Sequence, residues 1–445
     1  EGGSFPDKYN GRLFAVAPLQ RHVVVADVFP DGSSAQTKDV GHAITSNDPW
    51  FRPVHVADGP DGALYVSDMY ETQISHRQHF EGQVDRTNGR IYRVQAKGSQ
   101  PKKSQPRVAF DLGKESIPQL IARLRHKNRW FRQTARRVLA DRKDPAAIKP
   151  LTAMLANSKG QPALEALWAL YVCGGLSEPV ALRSLEHPEP LVRQWTVRLL
   201  GDERKVSAAA ARKFASMASS DSDVHVRSQL ASTSKRLSAE QGLPVVRNLL
   251  AREEDVGDIH LPLLSWWSLE SKAESDRDAV VELFEDSTFW TEPMVEKHIV
   301  QRMMRRYARA GGRTNLLACA KLLRLAPSDA LAQKLRAGFE EAYQGRALTS
   351  LPTELIKAMA DRGASSPALE VRLGKAEAIR KALAIIKDEK ADRKQRLAFA
   401  RIFGEVKHVQ CVEPLLQVVR ESKDDELRQV ALTSLQPYDD DRVPA

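Results

Sequence analysis

Three groups of residues in this chain have types and spacings that could do chemistry. The first is His55, His76 and His79, with Asp68, Glu71, Glu81 and Asp85 around them. A His-x-x-His pair on one side of a loop can chelate a divalent ion, and a histidine beside a carboxylate can act as the base that starts hydride removal from an alcohol. The spacing alone favours the plainer alternative, in which His76 and His79 hydrogen-bond the loop to itself. If a base is present, His76 is the better candidate, because His55 falls inside a strand pattern and reads as packed core. The second group is the basic run from Arg123 to Lys143, which holds Trp130 and Phe131. Cations and aromatics together can bind nucleic acid. Here the aromatics share a helical face with Ala135 and Val138, so the run reads as a solvated, partly salt-bridged face instead. The third group is Cys173, Cys319 and Cys411. They are an odd number, widely separated and free of any CxxC pattern, which excludes a disulfide framework or thiolate metal site within the chain and makes each a buried small apolar residue.

The elements that must position these groups are of two kinds. Between residues 11 and 94 the apolar residues come in short runs rich in Val, Tyr and Phe: 13–17, 23–29, 54–58, 63–68 and 90–94. These runs predict antiparallel strands, and the Asp-Gly pairs at 31–32 and 61–62 supply the positive backbone dihedrals of tight turns. The segment 70–90 between two strands is long enough to overhang a binding site. Residues 96–107, with two prolines, four basic residues and little to bury, predict a linker. Beyond residue 116 the spacing changes to three and four, as in Leu120, Ile121 and Leu124, or Leu151, Met154 and Leu155, and predicts short helices. Breakers such as Asp144-Pro145, Gly174-Gly175, His187-Pro188 and Gly311-Gly312 separate them.

The helical part repeats. A Val-Arg pair with a polar lead and a helical tail occurs around Arg193 and Arg227, 34 residues apart, and Arg132 and Arg428 occupy matching places. Two helices in a period of about 30–40 residues mark an α-solenoid of HEAT or armadillo type, in which one helical pair cannot bury its apolar face alone. The aromatic residues Trp266, Trp267 and Trp290 are expected to fill its core. The signature fades between residues 270 and 390. The predicted organisation is therefore a β region at 1–97, a linker at 98–116 and an α-α superhelix at 117–445.

Charge divides the same way. Of the 445 residues, 67 are Lys or Arg and 57 Asp or Glu, for a net charge of +10. Residues 1–97 carry a net −2, which leaves +12 for the remainder. With 42% hydrophobic residues the chain is globular and not disordered throughout. No run reaches the roughly 18–20 consecutive apolar residues that a membrane-spanning helix needs.

The stretch WFRPVHVADGPDGALYVSDMY (50–70), followed by GRIYRV (89–94), resembles the closing blade of six-bladed propellers of the soluble glucose/sorbosone dehydrogenase type. Joined to helical repeats, it is similar to the planctomycete-type membrane-bound dehydrogenase domain proteins, which combine a secreted propeller, HEAT-like repeats and a cytochrome c domain. Residues 374–406 and 435–443 share the flavour of that family. The resemblance implies a partial β-propeller of about two blades, with a ring that needs further blades, so the chain is expected to be a fragment. It implies that Arg52 is the cofactor-binding candidate, since an arginine leading the matching strand faces the carboxylates and quinone oxygens of pyrroloquinoline quinone, and a planar guanidinium fork suits that role. The alternative is an arginine that pairs with Asp68 or another carboxylate to fix the blade. Where the quinone enzymes place a lysine, this chain has Gln20 and Arg21.

Three functions follow as expectations. The resemblance implies a periplasmic or cell-surface protein that oxidises a sugar or other alcohol on the propeller, with His76 as catalytic base. Electrons would pass to haem c in a domain outside this chain, which itself holds no cofactor and no metal, and the solenoid would act as spacer and protein-docking surface. The alternative is a non-catalytic propeller that binds carbohydrate or protein beside a HEAT-repeat scaffold. Nucleic-acid scaffolding rests on charge alone and ranks last.

Overall fold

A computed structural model of the chain describes residues 5–71, 87–95, 110–344, 351–362 and 367–443. His76, His79, Glu81 and Asp85 lie outside the described residues, as does most of the expected linker. The chain forms two compact units, residues Glu1–Thr233 with Asp258–Leu261, and Ser234–Gly257 with Pro262–Ala445.

The β region of the first unit consists of two antiparallel meanders. Strands β1 (Leu13–Ala17), β2 (His22–Asp31) and β3 (Ser34–Thr45) form one three-stranded sheet, and β4 (Pro53–Asp58), β5 (Leu64–Asp68) and β6 (Arg90–Val94) form the other. The five predicted runs are all strands. The sixth, β3, carries no apolar alternation and is almost wholly exposed. Its backbone ladder with β2 and the tight turn between them hold it in place. Asp31 pairs with Ser34 across a two-residue loop, and Gly32 takes a φ of +54° there. A small apolar core of Val23, Leu64 and Val66, flanked by Phe14, Val16, Ile44 and Val56, draws on both sheets. The structure thus contains a β region followed by helical repeats.

The helices are α1 (Ile117–Arg123), α2 (Arg129–Arg142), α3 (Ile148–Asn157), α4 (Gly160–Val172), α5 (Glu178–Ser184), α6 (Pro190–Gly201), α7 (Ala208–Ser220), α8 (Val224–Ser234), α9 (Ala239–Leu250), α10 (Leu261–Glu270), α11 (Arg277–Glu282), α12 (Ser287–Thr291), α13 (Pro293–His298), α14 (Val300–Ala310), α15 (Gly312–Leu325), α16 (Asp329–Ala342), α17 (Thr353–Asp361), α18 (Pro367–Arg372), α19 (Ala376–Lys387), α20 (Arg393–Val406), α21 (Val412–Glu421) and α22 (Asp425–Leu435). Helices pack on their sequence neighbours and on the next but one: α1 on α2, α2 on α4 and α4 on α6 in the first unit, and α14 on α16, α18 on α20 and α20 on α22 in the second. That alternation is the packing of a helical-repeat stack. The predicted core positions Leu120, Leu124, Leu139 and Leu151 are fully buried, as is Trp290, and Trp266 is nearly so. Trp267 departs from expectation: it is 40% exposed, with Lys235 Nζ 5.5 Å from its ring centroid. Its neighbour Trp266 occupies the core-facing position, and adjacent residues on a helix point about 100° apart, which puts Trp267 at the edge of the apolar face. The fading repeat after residue 270 corresponds to the three short helices α11–α13, which replace one regular pair.

The repeat arginines have a common structural use. Arg132, Arg193 and Arg227 each donate from Nη1 to a carbonyl six residues back, on His126 (2.8 Å), His187 (2.9 Å) and Asp221 (3.0 Å). Arg132 also reaches forward to Glu165 of the next repeat (3.2 Å), and Arg193 to Asp221 (2.7 Å). The second unit uses Arg372 with Glu405 (2.7 Å) and Arg393 with Asp424 (2.5 Å). One guanidinium therefore closes a helix-leading turn and ties it to the following repeat, a task that needs its planar fork of donors. Arg428 instead donates to the Val419 carbonyl. The three cysteines are free and buried, and burial pushes the Cys411 thiol up to about 12.

Candidate functional site

Arg52 immediately precedes β4, and Asp68 ends β5 directly opposite Pro53. The turn after β5 is built on this carboxylate: Asp68 Oδ1 accepts from the Arg52 backbone N–H (2.7 Å) and the Tyr70 N–H (2.9 Å), while the Met69 N–H donates to the Arg52 carbonyl (2.9 Å). Tyr70 adopts a φ of +55°, which turns the chain out of the sheet. Its ring lies 5.6 Å from Trp50, with the Arg90 guanidinium 3.8 Å from its centre.

The Arg52 side chain is 7% exposed and donates from Nη1 to the Phe51 carbonyl (3.0 Å). Burial lowers its pKa and Arg21 lowers it further, against the opposing pull of Asp68 and Glu71. Glu71 is itself buried. The guanidinium is thus turned back onto the Phe51 carbonyl and feels the charges of Asp68 and Glu71. This arrangement does not fit a quinone bearing several carboxylates, which would meet Asp68 and Glu71 as like charges. Asp68 fixes the start of β4 through the Arg52 backbone N–H.

His55 lies on β4 and is exposed, where the sequence pattern predicted packed core. Period-two alternation decides this: Val56, the next residue, pairs with buried Val66, and His55 takes the other face. His55 borders a cleft of 730 Å³ formed by β1, β4 and the start of α2, where Tyr9, Phe14, Asp58, Trp130 and Gln133 also line the wall. The structure therefore places His55 in the same cleft as Asp58 and Trp130. Trp130 is half-buried, and it contributes to the helix core while facing the cleft. Among the described residues no group of three or more His, Cys, Asp or Glu side chains is arranged to hold a metal ion.

Two polar contacts, one buried and one part-buried, attach the β region to the rest of the same unit. Asn128 is 3% exposed and caps α2 by accepting from the Trp130 N–H (2.9 Å). Its amide nitrogen donates to the Gly59 carbonyl (2.8 Å) in the turn between β4 and β5. At the tip of the β2–β3 hairpin, Ser33 donates from its backbone N–H (2.7 Å) and its hydroxyl (2.6 Å) to the Asp258 carboxylate. Burial works to raise the Asp258 pKa, but the hydrogen bonds from Ser33, Leu261 and His260 hold it below the usual carboxylate value. Neither contact is apparent in the sequence beyond the N-cap identity of Asn128, because the partners are 69 and 225 residues apart.

The basic run is largely engaged internally. Arg123 pairs with Glu115 (2.7 Å), Arg142 donates to the Glu115 and Gly113 carbonyls, and Glu165 receives Arg132, Arg136 (2.7 Å) and Gln161 (2.9 Å). Among the described residues no helix is long and apolar enough to cross a membrane.

A protein-family model described as "Domain of unknown function (DUF7133)" matches residues 1–98. No curated protein matches the chain. Among solved structures, an engineered protein from the Northeast Structural Genomics Consortium aligns at 16% identity over 72% of this chain and 98% of its own, with a TM-score of 0.29.

Proposed function

We propose that this chain is the scaffold-bearing part of a secreted, dehydrogenase-like protein. In this reading the two sheets belong to a β-propeller that oxidises a sugar or other alcohol, and the helical repeats hold the propeller and a partner in register. Electrons pass to a c-type haem domain outside this chain, in a periplasmic or cell-surface setting. The strand-and-turn sequence of residues 50–94 motivates the propeller. The observation that carries the scaffold role is Asn128, one buried amide that both starts α2 and holds the β4–β5 turn. A β layer fastened by a buried hydrogen bond moves with its helices, as a spacer between two functional parts requires. Arg52 serves as a positioning residue that closes the β4–β5 end.

The test uses the full-length gene product with a soluble dye acceptor and a panel of alcohols and aldoses. Reduction of the dye by at least one substrate is expected, and Arg52→Ala should lower the melting temperature of the protein while leaving KM within about threefold. Absence of dye reduction across the panel would end the redox reading, while leaving the scaffold geometry to be judged by the exchange experiment on Asn128 described below.

A further inference from the structure

Helix α14 carries one feature that neither the redox reading nor the repeat architecture explains. Its apolar residues Val300, Met303, Met304 and Tyr307 are buried, and its opposite face presents Arg302, Arg305, Arg306 and Arg309. Spacings of three and four place these guanidiniums in one stripe, about 10 Å from first to last at 1.5 Å per residue. The stripe lines a groove of 440 Å³ whose other walls come from α10, through Trp266 and Glu270, and from the end of α16, through Glu341. Four cations thus face three carboxylates, Glu270, Glu274 and Glu341, and Glu270 lies 3.8 Å from Arg306. Arg305 pairs with Glu341 (2.5 Å), and Arg306 with Glu274 (3.0 Å). Arg302 is half-buried and donates to the His298 carbonyl (2.7 Å), and among the described residues no carboxylate reaches it. A half-buried guanidinium without a counter-charge leaves positive potential in a concave site, where low-dielectric walls strengthen it.

We propose that this groove docks an extended acidic segment of a partner protein. Alternate side chains of an extended strand lie about 6–7 Å apart on one face. Aspartates or glutamates at every second position can therefore meet Arg302, the Arg305–Arg306 pair and Arg309 in turn, each by a charge-assisted fork. Incoming peptide carboxylates exchange places with the wall glutamates at Arg305 and Arg306, whereas a single-stranded nucleic acid needs an aromatic face on which its bases stack, and Trp266 in this groove is only 4% exposed. The partner is thus an acidic peptide and not a nucleic acid, and the inference does not depend on the dehydrogenase reading.

The experiment is fluorescence anisotropy on the full chain with a labelled decapeptide of alternating Glu and Ser. Binding is expected, weakening as ionic strength rises and failing for the same peptide with Gln in place of Glu. Arg302→Glu combined with Arg309→Glu should raise Kd by about tenfold or more, while Arg302→Lys and Arg137→Glu, at an exposed arginine of the first unit, should change it by less than about threefold. Circular dichroism checks that each variant is folded, and Arg302→Gln replaces the double variant if that one unfolds. No binding of the Glu peptide, equal loss in Arg137→Glu, or an unaffected groove variant overturns the proposal. So does tighter binding of a ten-nucleotide single-stranded DNA through the same arginines.

Discussion

Replacing Glu165 with leucine should destabilise the first unit by about 3 kcal/mol, and the reasoning can be followed from its partners. Glu165 is 2% exposed and accepts from Arg132, Arg136 and Gln161. Arg136 is one-quarter exposed, so it recovers hydration and contributes at the surface-pair level of about 0–1 kcal/mol. Arg132 is only 7% exposed at its side chain. Removing its acid leaves a buried charge without its carboxylate, and breaking a buried pair from one side costs roughly 3–5 kcal/mol. The carbonyl bonds to His126 and Lys127 persist, which places the expected loss near the lower end. For a unit of this size that corresponds to a fall in Tm of roughly 6–12 °C. Urea unfolding followed by circular dichroism measures it, with Arg132→Met and the double variant Arg132→Met/Glu165→Leu completing a cycle. The double variant should be more stable than Glu165→Leu alone, since no buried charge remains. A loss below about 1 kcal/mol, or strict additivity in the cycle, would show that the pair behaves like an exposed one and would refute the argument.

Two further predictions concern single buried groups. Asn128→Ala removes a helix cap and a buried hydrogen bond to Gly59, and should cost about 2 kcal/mol; amide hydrogen exchange should quicken selectively across β4, β5 and the first turn of α2, and exchange unchanged there would count against the attachment. Lys272 is 3% exposed and donates to the Ser234 carbonyl (2.9 Å), and burial lowers its pKa to about 8 despite Asp276. Between about pH 8 and 10.5 the unfolded chain binds the proton that the folded chain has released, so the Lys272 penalty, complete below that window, fades and stability rises with pH. Lys272→Met should remove this part of the slope in urea titrations run from pH 7 to 10, and an identical slope in the variant would exclude Lys272 as its source.

The change from β to helical repeats was legible wherever burial produces a period. The strands with an apolar face and the helices with a three-four spacing stand where the pattern put them, and Asp-Gly and Gly-Gly pairs mark the turns. Strand β3 was not legible, because it buries almost nothing and exists by backbone pairing with β2, which leaves no side-chain signature. His55 and Trp267 were misplaced for a related reason: residue type suggests a core, but the phase of the strand or helix decides which face a side chain takes. The repeat arginines were visible as a motif, although their pairing with an acid one repeat onward became apparent only from the contacts.

The sequence by itself determined the class of each segment, the period of the repeats, the burial of the cysteines and the excess of cations in the helical part, since all of these follow from local composition and spacing. Only the tertiary structure decided how charges are used. It turned Arg52 back onto the Phe51 carbonyl, gave Glu165 two arginines, joined Asn128 to a turn 69 residues earlier, and gathered four arginines beside Trp266. Electrostatic partnership depends on distance through space and on exposure to water, and neither is encoded in the local spacing of residue types.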